Sequence, residues 1–130
     1  MGVNVLWDNE EKTIIRQDYQ GPWTWNEFFN ACAQSAGMMH EVTHRVDLVA
    51  DLKQGIMPRS GSSISFARKV LNDYPANWGG MIIIVNPYIG ALVSVFKQFD
   101  RKLGAKVNTA PSLDAARKMI LTLRAQTERG

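Results

Sequence analysis

The stretch "HEVTH", His40 to His44, reproduces the zinc-protease pattern His-Glu-x-x-His. In that pattern two histidines one helical turn apart hold the metal, and the glutamate between them activates water. The chemistry needs an unbroken helix through His44 and a third ligand. Gly37 before the motif, the β-branched Val42 and Thr43 within it, and the strand-like "RVDLV" after it all oppose such a helix. The chain has 2 histidines in all, and the glutamate downstream of the motif is Glu128 near the tail. Two solvated loop histidines are therefore expected. A small zinc hydrolase using His40, Glu41 and His44 is the remote alternative, and no metal, cofactor or catalytic residue is assigned.

A second candidate is the turn "DLKQGIMPRSGSS", Asp51 to Ser63. It follows a strand-like run and precedes an amphipathic one, so Ser62 or Ser63 is placed to cap a helix. The N–H groups of a helix start can receive an anion, Gly61 allows close backbone approach, and Arg59 can clamp an acidic group as a fork. The plainer alternative is a capped strand-to-helix connection with no ligand. Other reactive side chains point to structure rather than chemistry. Cys32 has helical spacing with Phe28, Phe29 and Ala36 and is expected to be a buried small hydrophobe. Asp47 and Asp51 alternate on one strand face, but no histidine or lysine is spaced to complete an acid–base site with them. Both are expected to be solvated or end-of-strand aspartates. Arg117, Lys118 and Arg124 are expected on the wet face of the last helix.

The elements that position these residues follow from periodicity. Val3 to Asp8 and Lys12 to Tyr19 have strand character and suit a hairpin. Thr24 and Glu27 have capping-box spacing, with Trp23 and Phe28 as a hydrophobic staple, opening a helix that should weaken near Gly37. "RVDLVADL" places Val46, Leu48, Ala50 and Leu52 on one face and Val49 on the other, as in a strand with substantial burial. Ile64, Ala67, Leu71 and Tyr74 share a helical face ahead of Pro75. "GGMIIIVNP" is a continuous apolar strand. Ile89, Leu92, Phe96, Phe99 and Leu103 predict one helix stopping at Gly104. "AKVNTA" is a short strand before a final helix burying Leu113, Ala116, Ile120 and Leu123.

The expected fold is α/β, with a mostly parallel five-stranded sheet and element order β-β-α-β-α-β-α-β-α. Right-handed crossovers would place most helices on one face. The carboxyl ends of the parallel strands then converge on one edge, where ligands of open α/β sheets usually bind. That edge collects Trp23, the turn from Arg59 through Ser60, Gly61, Ser62 and Ser63, and the loop with Asn86 and Tyr88.

Composition agrees with one domain over residues 1–130. With 45% hydrophobic and 21% charged residues the chain can bury a core without disulfides, and its 1 cysteine cannot form an internal one. A reducing, cytoplasmic setting is the expectation. The most apolar run is broken by Asn86, Pro87 and Gly90, so no membrane span is expected. A net charge of +3 without a basic patch lends no support to nucleic-acid binding.

The order of elements, with "VDLVADL" followed by "MPRSG" at the head of a helix, resembles the STAS domain, the SpoIIAA-like fold of anti-sigma factor antagonists. In that family the third strand typically ends in Asp-Leu before an Asp-Ser-Ser-Gly turn, whose first serine a partner kinase phosphorylates to switch binding. Asp51, Leu52, Met57, Ser60 and Gly61 match this pattern. Pro58 and Arg59 depart from it: Arg59 stands where the phosphorylated serine belongs, and the turn is about one residue short. Ser60 corresponds to the family's second serine. The opening "YQGPWTWNEF" is similar to uncharacterised bacterial STAS-like proteins, whose fold is also similar to the lipid-binding Sec14 domain.

The resemblance implies a non-catalytic, regulatory protein–protein interaction domain, not an enzyme, with Ser60, Ser62 or Ser63 as phosphoacceptor. The alternative is a carrier or sensor of a small apolar or lipid-like ligand, which requires a pocket beneath the apolar third helix. A protein partner is expected, a small anionic ligand is compatible with Arg59, and the oligomeric state is left open, a homodimer included.

Overall fold

The computed structural model describes residues 2–129, and among them the chain forms an α/β fold around a mostly parallel sheet. Strands β1 (Gly2–Trp7) and β2 (Ile14–Pro22) form the expected antiparallel hairpin. Its loop is closed by Asn9, whose side-chain oxygen accepts from the Thr13 and Ile14 amides at 3.0 and 3.2 Å. β2 then pairs in parallel with β3 (Val46–Asp51), β3 with β5 (Trp78–Ile84), and β5 with β6 (Val107–Ala110). The spatial order is β1-β2-β3-β5-β6.

Each new strand is added in the same direction, so crossovers of the usual right hand deliver their helices to one face. Helices α1 (Trp25–His40), α2 (Ser63–Asn72) and α3 (Pro87–Phe99) pack there against Val46, Leu48 and Ala50 of β3. Helix α5 (Leu113–Arg129) leaves the last strand and covers the opposite face, where Val49, Ile82 and Ile84 meet Ala116 and Ile120. Residues of β3 therefore alternate between two cores, as a strand covered on both sides requires.

Three expectations are corrected. The sheet has six strands rather than five, because Gly55–Ile56, β4, pairs in parallel with Gly21 and Pro22 at the end of β2. The helix predicted to run through Leu103 breaks at Asp100, whose extended backbone ends α3, and whose carboxylate accepts from the Leu103 amide at 3.1 Å to start α4 (Arg101–Gly104). An aspartate competes for backbone donors in this way wherever it can serve as an N-cap. The first helix also does not weaken at Gly37 but continues to His40, since Met39 is fully buried and holds the last turn against the core. Its end and the segment after it are tied to a distant residue: the Asn77 amide nitrogen donates to the carbonyls of Met39, Val42 and His44 at 2.9, 3.3 and 3.0 Å. No helix among the described residues is long and apolar enough to cross a membrane.

Candidate functional site

Because β2, β3, β5 and β6 are parallel, the segments that follow them lie along one edge of the sheet. The segment after β3 is held there in two places. Its first half is β4, where the amides of Gly21 and Trp23 donate to the carbonyls of Gln54 and Ile56 at 3.0 and 3.4 Å. Gly55 sits so close to Trp23 and Tyr19 that a β-carbon would lie 2.9 Å from the Trp23 indole nitrogen. Its second half rests on Trp25, whose indole N–H donates to the Ser60 carbonyl. Gly61 adopts φ +92°, and a β-carbon there would meet Trp25 at 2.7 Å and Phe66 at 2.8 Å.

Aromatic rings form the base beneath this turn. Tyr19, Trp23 and Trp25 follow one another edge to face at 5.0 and 5.2 Å between centroids, and Phe66 closes on Trp25 at 5.0 Å. Helix α1 is positioned for this by its sequence: the Thr24 hydroxyl accepts from the Glu27 amide at 3.1 Å while the Glu27 carboxylate accepts from the Thr24 amide at 3.0 Å. Trp23 and Phe28 flank that capping box at 6.2 Å, as the staple reading expects.

The predicted site residues divide into those on the surface and those spent on structure. Arg59, Ser60 and Ser62 are exposed, and Tyr88 is 65% exposed. Ser63 is partly buried as the first residue of α2. Trp23 is 5% exposed, so it supports the edge from beneath and is no part of its surface, since its ring is enclosed by Tyr19, Trp25 and Phe28. Asn86 caps α3, its side-chain oxygen accepting from the Ile89 amide at 2.9 Å. Ser62 occupies the N-cap of α2, but its hydroxyl pairs with the Ser65 hydroxyl at 3.1 Å and not with a backbone amide. The position a β-carbon would take at Gly61 is filled by Trp25 and Phe66, so this turn requires glycine.

Directly under the edge lies a cavity of about 110 Å³ between the sheet and helices α1, α2 and α3. Its walls include Ala50 and Met81 from the sheet, Phe28 from α1, Ala67 and Leu71 from α2, and Val93 from α3. Met57, Ser63 and Ile64, all partly exposed, line its outer side. No ionisable carboxylate, lysine or arginine is among its lining residues.

The cavity lining is almost wholly apolar, and Gln17 and Cys32 border it from a buried polar cluster. Gln17 is fully buried, its amide donating to the Ser35 hydroxyl at 2.9 Å and its oxygen accepting from the Tyr19 hydroxyl at 2.8 Å. Cys32 is buried beside them, as its helical spacing predicts, and burial pushes its thiol up to about 11. It is a protonated thiol at neutral pH and no nucleophile. Burial likewise raises the Tyr74 hydroxyl well above its ordinary value. That hydroxyl lies near Cys32 and Gln17 but has no partner at hydrogen-bonding geometry. Sequence reasoning missed this group, because Gln17 and Tyr74 are brought together only by the packing of α1 and α2 on β2.

The opposite edge of the sheet holds the remaining candidates. His40 is the last residue of α1 and His44 lies beyond it, so they do not occupy successive turns of one helix. Both are exposed, and His44 Nε2 donates to the Lys12 carbonyl at 2.8 Å. Among the described residues no group of three or more His, Cys, Asp or Glu side chains is placed to hold a metal ion; the side chain of Glu128 lies outside the described residues.

Asp47 and the last helix's arginines are corrected more sharply. Asp47 is buried, not solvated, and its carboxylate accepts from Arg45 at 3.1 Å and from Arg124 at 2.8 Å. Arg117 reaches Asp8 at 2.7 Å, where Arg16 also binds at 2.7 Å. These arginines do not form a merely wet face: α5 crosses the sheet close enough for their guanidinium groups to reach carboxylates at its rim. Lys118 is exposed, and Asp51, partly buried, accepts from the Lys53 amide at 3.2 Å.

In comparisons with known proteins, no family model matches the chain and no curated protein matches it.

Proposed function

We propose that this protein is a non-catalytic binding domain of STAS type that acts through a protein partner, with the edge around Ser60 and Tyr88 as its recognition surface. The observation that carries the reading is the construction of the turn. Arg59, Ser60 and Ser62 are held outward on a backbone tied to β2 by β4 and to α1 by Trp25. A rigid loop presenting polar groups over an aromatic base is suited to recognition, because little chain entropy remains to be lost on binding.

Tyr88 extends the same surface. It is the second residue of α3, in the segment that follows β5, and β5 neighbours β3 through the pairing of Asp51 with Ile84. Exposed tyrosine and arginine are residue types enriched at interface hot spots, and Tyr88 and Arg59 both follow parallel strands that end at this edge. The alternation of the main strands and helices is in keeping with the SpoIIAA-like resemblance, apart from the added β4 and the split at Asp100, and the exposure of Ser60 on that turn supports it as the phosphoacceptor ahead of the partly buried Ser63. Arg59, at the family's switch position, favours an acidic partner surface.

Affinity purification from native cells with the wild-type chain and an Arg59→Glu/Tyr88→Ala variant tests the reading. A protein retained by the first and lost by the second is expected. If the two variants retain the same proteins, this edge is not the recognition surface. Intact-mass measurement of the native protein adds a separate check, since a phosphate mapped to Ser60 supports the switch and a phosphate-free protein counts against it.

A further inference from the structure

We infer that the outer face of α3 is a docking surface for an acidic amphipathic helix of a partner protein, continuing the recognition edge from Tyr88 to Phe99. The inference rests on the partner-binding reading of that edge and names the kind of segment it receives.

A surface helix normally sets polar side chains against water. Helix α3 does not. Its inner face buries Ile89, Val93 and Phe96, yet Tyr88, Val95 and Phe99 stand 65%, 49% and 66% exposed on the other side. At about 100° per residue these three fall within an arc of roughly 40°, one above another over about 16 Å of helix axis. Together with the partly buried Leu92 they alternate four-, three- and four-residue steps, the seam spacing by which one helix receives the side chains of another. The flank of the seam is formed by Ala91, Ser94 and Gln98, all exposed and uncharged, so a second helix can approach closely there.

Charge decides the partner. At the Phe99 end α4 packs against α3 and α2 and carries the exposed Arg101 and Lys102. Arg68 of α2 lies with its guanidinium carbon 5.5 Å from the centre of the Phe99 ring. The neighbouring carboxylate, Asp100, is already engaged by Arg68 at 3.0 Å and by the Leu103 amide at 3.1 Å, and α3 itself contains no Asp or Glu. A second copy of this chain is therefore a poor occupant. Parallel pairing sets these cations against one another, and antiparallel pairing sets them beside Tyr88 and Ala91, which offer no countercharge. An anionic lipid surface fits less well too, because interfacial helices carry their cations along the polar face, whereas the flank of α3 is neutral and the cations gather at one end. A helix with an apolar stripe, and with carboxylates toward one end, complements both features.

Benzoylphenylalanine placed at position 95 and photolysed in native cells tests the inference, with the linked segment identified by mass spectrometry. A segment of another protein is expected, with apolar residues at three- and four-residue spacing and Asp or Glu gathered at one end. A synthetic peptide of that segment should bind the wild-type chain. Phe99→Ser should weaken it about tenfold or more, and Arg101→Glu/Lys102→Glu roughly tenfold, with affinity also falling as salt is raised. These substitutions alter exposed residues, so both variants should melt close to the wild type. The inference is overturned if position 95 links to lipid, to a second copy, to nothing, or to a segment without this pattern. It is also overturned if Phe99→Ser binds the peptide as the wild type does. The two readings fail separately: if Arg59→Glu loses the partner while Val95→Ser/Phe99→Ser retains it, the edge stands and the α3 surface falls, and the reverse keeps α3 and removes the turn.

Discussion

The indole N–H of Trp25 donates to the carbonyl of Ser60, so the first residue of α1 holds the turn that leads into α2. Sequence separation is 35 residues, and the contact converts a serine-rich loop into a defined surface. Gly61 beside it occupies a left-handed conformation with no room for a side chain.

Gly61→Ala should therefore destabilise the protein by roughly 2 kcal/mol or more, combining the cost of a left-handed non-glycine residue with displacement of Trp25 and Phe66. Urea denaturation measures it. A loss under about 0.5 kcal/mol would mean that the turn is not held as described. Trp25→Phe keeps an aromatic ring but removes the donor, and should cost about 1 kcal/mol while speeding amide exchange at residues 60–63.

Asp47 is nearly solvent-free between Arg45 and Arg124, with side-chain exposure of 4% against 30% and 20%. Replacing it with Ala strands two cations at the sheet rim and should cost about 2–3 kcal/mol, below the range for a fully buried pair because both arginines reach water. The companion Arg124→Ala should cost less, since Arg45 still serves the carboxylate. Equal losses in thermal melts of the two variants would contradict this order.

Asp8 gives the fold an acid sensitivity. Hydrogen bonding from Arg117, followed by that from Arg16, outweighs burial and holds the Asp8 carboxyl below its ordinary value of 3.8. A carboxylate more acidic in the folded than in the unfolded chain stabilises the fold above the unfolded value. That contribution is lost as pH falls through the folded value. Stability should therefore be flat in this respect near neutrality and fall below about pH 4. Asp8→Asn should lower stability at pH 7 and make its decline between about pH 4 and 2 shallower than in the wild type, as read from denaturation midpoints across that window. An unchanged acid limb would remove Asp8 from the account.

Asn77 supplies one amide nitrogen to three carbonyls at the end of α1. Asn77→Ala should destabilise by about 1–2 kcal/mol, because the partly buried Met39 carbonyl is left with only the longer contact from the Val42 amide at 3.4 Å, while that of His44 can turn to water. Asn77→Asp should be at least as harmful, since a carboxylate cannot donate. Retention of full stability by the aspartate variant would show that space, and not donation, matters at this position.

Much of the fold is legible in local patterns. The capping box at Thr24 and Glu27, the two-faced alternation of β3, the apolar run of β5 and the spacing of Ala116 and Ile120 all depend on neighbours within a few residues, and the structure follows them. So do the parallel sheet and the edge that carries Ser60 and Tyr88, because alternating strands and helices leave few topologies. Local patterns fail where distant partners decide. Trp23 reads in sequence both as a staple and as part of the edge surface, and its enclosure by Tyr19, Trp25 and Phe28 leaves only the staple role. Asp47 looks solvated until Arg124, 77 residues away, arrives with α5. The unpaired Tyr74 hydroxyl and the cavity beside Gln17 have no trace in composition or periodicity, since an empty space is set by how three helices and a sheet fail to meet. Local patterns set the hairpin, the main strands and helices and the edge at which their ends gather; packing decided the short strand β4 and the break at Asp100, which polar groups found partners and which space was left between the helices and the sheet.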